Sequence, residues 1–265
     1  MARDKRWETA ENMLFSRTRR TIWEPIMSES SAHGTGQAAG FVIQPNPVPV
    51  LPVEGTSDVF PVNRIFCIGR NYAAHAVEMG HDPDKEPPFF FLKHPAAVIT
   101  DGTFPYPSET SDVHHEIEMV VALDKGGKNI PVDAALEHVY GYGVGLDMTR
   151  RDLQAEAKKL GRPWEVAKSF EASAPSGPLV PASRIGHPAR GRVELTVNGD
   201  LRQEGDLNQM IWKVPEMIAV LSRYFELQPG DIIMTGTPAG VGAVQRGDVM
   251  EASIEGVGRI TVKVI

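Results

Sequence analysis

Glu116-Ile-Glu-Met-Val-Val-Ala-Leu123, closed by Lys125-Gly-Gly127, decides how the chain is read. The apolar run from Ile117 to Leu123 reads as a strand. Side chains two apart on a strand share a face, so Glu116 and Glu118 aim their carboxylates at one point. About thirty residues on, Gly143-Val-Gly-Leu-Asp147-Met-Thr149 offers a third carboxylate from Asp147. Such an all-oxygen cluster suits hard divalent cations: Mg²⁺, Mn²⁺ or, less well, Ca²⁺. Bare acids so placed would repel, and a metal would make the arrangement tolerable. The pattern points to a metal-dependent enzyme acting on a small anionic substrate.

The rest of the chain sets the frame. Its 265 residues suffice for one large domain or two small ones. A net charge of −7 argues against nucleic acid or an anionic membrane as the main partner. The single cysteine, Cys67, excludes an intrachain disulfide and fits a cytoplasmic protein. No apolar run approaches the ~18 residues that span a bilayer.

Residues 1–60 differ from the remainder. Acids Glu8, Glu11 and Glu24 mixed with Arg17, Arg19 and Arg20 do not make a transit peptide, and there is no apolar signal core. Ser28 to Gly40 is flexible by composition, and Pro45, Pro47, Pro49 and Pro52 space out an extended lead-in. Two readings stand: the natural start is Met27 with the first 26 residues an upstream extension, or those residues are a genuine disordered arm. From Pro61 to Ile265 the pattern is that of one α+β domain, mainly β, with several helices. Strands are expected at Arg64–Gly69, Phe89–Leu92, Ala97–Ile99, Tyr140–Leu146, Arg192–Val197 and Asp231–Thr235, with two more in Asp248–Val264. Helices are expected at Tyr72–Met79, Ala134–Val139, Arg151–Leu160 and Val214–Phe225. In the third, Leu153, Ala157 and Leu160 share one face, and Gly161 and Pro163 end it. Asn198-Gly199 gives a hairpin turn.

Three more segments carry chemistry. In Gly69-Arg-Asn-Tyr-Ala-Ala-His75-Ala-Val-Glu78, His75 and Glu78 sit one helical turn apart, so the carboxylate can orient the imidazole and raise its basicity toward water. By itself such a pair is commonly a surface ion pair. Arg151 lies a turn from Asp147, with Gln154 a turn further. Arg151 can grip a carboxylate in two places, whereas Lys168, in Trp164-Glu-Val-Ala-Lys-Ser-Phe170, supplies a point charge. In Thr235-Gly-Thr-Pro238, Gly236 permits close approach of backbone amides and Thr237 adds a hydroxyl. The bland reading of that loop is a tight connection. His114 reads as a polar edge residue, and His115 faces away from Glu116. His81, His94, His138 and His187 read as surface or core polar residues.

In this order and spacing the segments resemble the fumarylacetoacetate hydrolase family. The matching stretches are Gly69-Arg-Asn-Tyr with His75 and Glu78, Phe91-Leu-Lys93, Glu116-x-Glu118, Gly145-Leu-Asp147-Met-Thr with Arg151-Asp152, Trp164 to Phe170, and Thr235-Gly-Thr237-Pro. They run through residues 64–258, about three quarters of the chain, and are highly specific jointly. The resemblance implies a rolled mixed β-sheet with flanking helices, a homodimer, and Mg²⁺ or Mn²⁺ held by Glu116, Glu118 and Asp147. It implies that the segment bearing His75 and Glu78 acts as a lid. The Pro-rich lead-in, Arg70 to Pro83, and Pro87-Pro-Phe-Phe-Phe-Leu-Lys93 look most like fumarylpyruvate hydrolases of gentisate breakdown.

That likeness implies cleavage of a 2,4-diketo acid, 3-fumarylpyruvate, to fumarate and pyruvate. His75 and Glu78 would activate water and Lys168 would stabilise oxyanion charge. Arg70, Tyr72, Arg151, Gln154, Gly236 and Thr237 would bind substrate, and Lys93 would stand behind the acids. Rival readings within the family are oxaloacetate decarboxylase, the decarboxylase/isomerase of homoprotocatechuate breakdown, and hydrolysis of aliphatic acylpyruvates. A rival outside enzymology is a silent dicarboxylate-binding module.

Overall fold

The computed structural model describes residues 41–73 and 87–265. The segment with His75, Glu78 and His81, and most of the helix expected over Tyr72–Met79, lie outside them. The described residues are mixed α+β and mostly strand. A six-stranded sheet forms the middle, in the order Val180–Pro181, Val139–Leu146, Ile117–Leu123, Ile232–Met234, Ile65–Gly69, Phe89–Lys93. Its neighbours run antiparallel except Ile232–Met234 beside Ile65–Gly69, which makes the sheet mixed.

Every residue of Ile117–Leu123 is buried. Ile117, Met119, Val121 and Leu123 face the larger core, while Val120 and Ala122 face a smaller one with Ile65, Cys67 and Met234. Strand alternation therefore puts Glu118 on the Val120 side, at the open end of the smaller core. Glycine in the neighbouring strand has a reason: a Cβ at Gly141 would lie 2.4 Å from the Val180 carbonyl oxygen. A five-stranded sheet, Asp200–Asp206, Arg192–Val197, Val249–Ile254, Gly258–Val264 and Thr103–Phe104, backs the larger core. Asn198 and Gly199 both take positive φ, 55° and 85°, as the expected hairpin turn requires.

Several expectations shift; the helix expected over Ala134–Val139 is the 3₁₀ stretch Val132–His138, and Val139 begins a strand. The folded part begins before residue 61. Val50–Pro52 pairs with Val59–Pro61, Leu51, Val53 and Phe60 enter the smaller core, and the compact unit starts at Asn46. Pro52 and Pro61 each stand at a strand end, where an edge pair tolerates the missing N–H. The strand expected at Ala97 begins at Val98. Pro95–Ala97 is a single 3₁₀ turn, opened by proline and capped by His94 Nδ1 accepting from the Ala96 amide at 3.1 Å. The helix Arg151–Leu160 has the expected bounds and its left-handed end at Gly161, φ 61°. Its inward face, however, is not the Leu153 stripe: Leu160 is 49% exposed whereas Gln154 is buried.

Candidate active site

Antiparallel pairing gathers the acids. Ile117 stands opposite Leu146, so Glu116 and Asp147 flank the end of that pair, and the Asp147 amide donates to the Glu116 carbonyl at 2.9 Å. Glu118 stands opposite Gly145. One oxygen from each of Glu116, Glu118 and Asp147 lies within 4.8 Å of the others, and all three residues are buried. Glu116 is not within the long strand. It sits at the break between Val113–His115 and Ile117–Leu123.

Three cations close around these acids. Lys168 Nζ donates to Glu116 Oε2 at 2.8 Å and to Asp147 Oδ2 at 2.7 Å, and the residue is 2% exposed. Lys93 Nζ pairs with Asp147 Oδ1 at 2.7 Å and donates to the Met148 carbonyl and the Ser173 hydroxyl. Arg151 Nη2 meets Glu116 Oε1 at 2.5 Å while Nη1 donates to Gln154 Oε1 at 2.7 Å. The Gly236 amide donates to Glu118 Oε2 at 2.8 Å. This contact explains the glycine, whose φ is 90° and whose Cβ would come within 2.7 Å of Asn71 Cβ.

The electrostatics follow. Two carboxylates about 4 Å apart repel by about 4 kcal/mol at an effective dielectric of 20, so a trio is untenable alone. Burial first, and then Asp147 and Glu116, push the Glu118 carboxyl well above the usual carboxylate range. Burial alone would lower Lys168, but Asp147 and Glu116 outweigh it and raise the ammonium above its ordinary value. With all groups ionised, three carboxylates meet three cations. The protein's own lysines and arginine thus share the task that sequence reasoning gave to a metal alone. The donor set still fits one. It is all oxygen and tightly spaced, as Mg²⁺ or Mn²⁺ prefers, whereas Zn²⁺ is held mostly by Cys and His.

The family model "Fumarylacetoacetate (FAA) hydrolase C-terminal" matches residues 64–265. The chain belongs to the fumarylacetoacetate hydrolase family. Its fold is similar to fumarylpyruvate hydrolase from Pseudomonas aeruginosa, solved with Mn²⁺ and pyruvate: TM-score 0.83, 51% identity, 85% of this chain and 99% of that one. It is also 45% identical over 201 residues to the mitochondrial oxaloacetate tautomerase of Homo sapiens, 76% of this chain and 90% of that protein. To the mitochondrial oxaloacetate decarboxylase of Dictyostelium discoideum it is 40% identical over 195 residues, 73% and 89% of the two chains. An enzyme of this family is therefore at hand, with three named activities among its relatives.

The pocket over the acids is lined by Arg70, Arg151, Gln154, Lys168, Gly236 and Thr237, all expected there, together with Phe91, Lys158 and Trp164. Arg70 holds a positive φ, 59°, unusual for a side chain with Cβ, and its guanidinium lies 5.5 Å from the Phe89 ring centroid. Tyr72 goes elsewhere. It is buried, bridges to Met210, and lines a separate hollow with Glu204 and Gln209. Its neighbour Asn71 instead clamps the loops, donating to the Thr235 and Trp212 carbonyls and accepting from the Trp212 amide. Gly236 spends its amide on Glu118 rather than presenting it to a ligand. His114 pairs with Asp112, away from the acids.

Lys158 and Trp164 have no role assigned from the sequence, although Trp164 opens one of the matching stretches. Lys158 lies a turn beyond Gln154 on the Arg151 face, a spacing of three and four that was legible. Its Nζ lies 5.2 Å from the Trp164 ring centroid, and half-burial, then Arg151 and Arg70, lower it to about 8. Trp164 packs edge-on against Phe89, 5.0 Å between centroids.

Proposed function

We propose that this enzyme hydrolyses the C3–C4 bond of a 2,4-diketo acid, 3-fumarylpyruvate, to fumarate and pyruvate, in aromatic (gentisate) catabolism. The observation that carries the reading is one pocket with an all-oxygen donor trio at its base and Arg70, Arg151 and Lys158 in its walls. Since the trio's charge is already balanced by Lys93, Lys168 and Arg151, an added divalent ion leaves a net positive site. Such a site calls for an anionic ligand. The likeness to the Pseudomonas aeruginosa enzyme, seen with Mn²⁺ and pyruvate, supports the same choice.

Glu116, Glu118 and Asp147 would hold Mg²⁺ or Mn²⁺, which when bound supplies Lewis-acid polarisation of the 2-oxo acid. Thr237 binds the carboxylate beside the 2-oxo group. Arg151, steadied by Gln154, positions the chain of the substrate, and Lys168 Nζ meets developing oxyanion charge. Lys158, on Trp164, faces the distant carboxylate. Water, deprotonated by Glu78 and His75, adds to C4. The C3–C4 electron pair leaves with C3, which then takes a proton to give pyruvate. The working unit is a homodimer in the cytoplasm, to be checked by light scattering and fractionation.

Similarity to an oxaloacetate tautomerase and an oxaloacetate decarboxylase favours a second reading, in which oxaloacetate is the substrate. Reaction in H₂¹⁸O separates the two. Hydrolysis of 3-fumarylpyruvate places one ¹⁸O in the fumarate carboxylate. Oxaloacetate turnover with 3-fumarylpyruvate left intact would overturn the hydrolase assignment.

A further inference from the structure

Behind Thr237 lies a buried hydrogen-bond chain that runs to His115. The side chain of Gln203 is its middle. Gln203 is wholly buried, the one such residue in the otherwise open strand Asp200–Asp206. Its Oε1 accepts from the Ile117 amide at 3.1 Å and meets His115 Nδ1 at 2.9 Å. Its Nε2 donates to the Pro238 carbonyl at 2.9 Å and to Thr237 Oγ1 at 2.7 Å.

The direction of every bond is forced. An amide N–H only donates, so the atom facing Ile117 must be oxygen. A carbonyl only accepts, so the atom facing Pro238 must be nitrogen. The side-chain amide cannot flip without setting two donors and two acceptors against each other. Its Nε2 has no acceptor capacity, so Thr237 Oγ1 accepts from it. The Thr237 hydroxyl has a single proton, and that proton is thereby released from the protein side. Thr237 is buried but lines the pocket over the acids. Oε1 in turn requires His115 to donate from Nδ1.

We propose that Gln203, locked by Ile117, Pro238 and His115, is a positioning residue that makes Thr237 a one-way donor toward the ligand, so that this subsite favours a carboxylate, the stronger acceptor. A carboxylate oxygen accepts the proton. A carboxamide or ester offers only an uncharged carbonyl oxygen, which is a weaker acceptor. The inference rests on the 2-oxo acid reading above for the identity of the ligand, while the hydrogen-bond directions rest on the chain alone.

The test is calorimetric binding of oxalate to the full chain loaded with Mn²⁺. Thr237→Val weakens binding about tenfold or more, the range for a hydrogen bond to a charged group. Thr237→Ser restores it. Gln203→Met weakens it at least threefold, and Thr237→Val/Gln203→Met is no weaker than Thr237→Val, because Gln203 acts only through that hydroxyl. In turnover the Gln203→Met loss falls on KM rather than kcat. Losses that multiply in the double variant, or wild-type affinity in Gln203→Met, overturn the proposal. Should Gln203→Met not fold, nitrogen-15 spectra of the wild-type imidazoles decide: His115 as the Nδ1–H tautomer agrees, and Nε2–H overturns it. Wild-type chain that binds Mn²⁺ but no oxalate refutes the 2-oxo acid reading and with it the carboxylate selectivity, leaving the hydrogen-bond directions to the tautomer.

Discussion

At the residue scale the pocket divides labour between fixed and available charge. Lys93 and Lys168 are tied to the acids, whereas Lys158 stands over Trp164 with its ammonium weakened to about 8. That sets a pH signature. Lys158 is cationic below about 8 in the free enzyme and neutral above it, so attraction for a distant carboxylate is present at lower pH and lost as pH rises. The kcat/KM for 3-fumarylpyruvate should fall above that point, while that for acetylpyruvate, which lacks the second carboxylate, should not. Lys158→Met should raise KM for 3-fumarylpyruvate about tenfold and leave acetylpyruvate nearly unchanged; equal effects on both would remove Lys158 from substrate recognition. The acid trio was legible in the sequence because one apolar strand and its antiparallel neighbour suffice to bring it together. Gln203 was not, since its burial comes from a sheet packing that no local pattern announces. Tyr72 was expected in the site as part of the matching stretch Gly69-Arg-Asn-Tyr, yet it lines a different hollow.

At the scale of elements, one short helix carries three pocket residues, Arg151, Gln154 and Lys158. Its end is a left-handed glycine with nothing near enough to obstruct a Cβ. Gly161→Ala should therefore cost only the backbone term, about 1 kcal/mol, read as a lower urea midpoint at unchanged slope. Gly161→Asn should cost less. A loss of several kcal/mol would mean that the helix end makes contacts not seen around it. The bounds of this helix were readable from propensity and its stop signals. Its buried face was not, because a polar site rather than the core lies beneath it, and apolar periodicity reports only cores. The central strands were readable for the opposite reason: they are continuous apolar runs. Val113–His115 and Gly242–Val244 are set by their neighbours and leave no pattern in so short a length.

At the scale of the whole molecule, the site closes where strand ends from distant parts of the sequence meet, so a ligand there should be felt by the entire fold. Saturating Mn²⁺ at about a hundred times its dissociation constant adds about 2.7 kcal/mol, seen as a higher Tm that EDTA reverses. Glu118→Ala should lose this shift and turnover together; retaining both would displace the trio as the metal site. The central claim is a metal-dependent hydrolysis of a diketo acid. The measurement that tests it most directly follows the enol absorbance of 3-fumarylpyruvate with coupled detection of pyruvate, first with Mg²⁺ or Mn²⁺ and then with EDTA. The expected result is rapid loss of absorbance with one pyruvate released per substrate, abolished by the chelator. Unchanged 3-fumarylpyruvate, with oxaloacetate consumed under the same conditions, would contradict it.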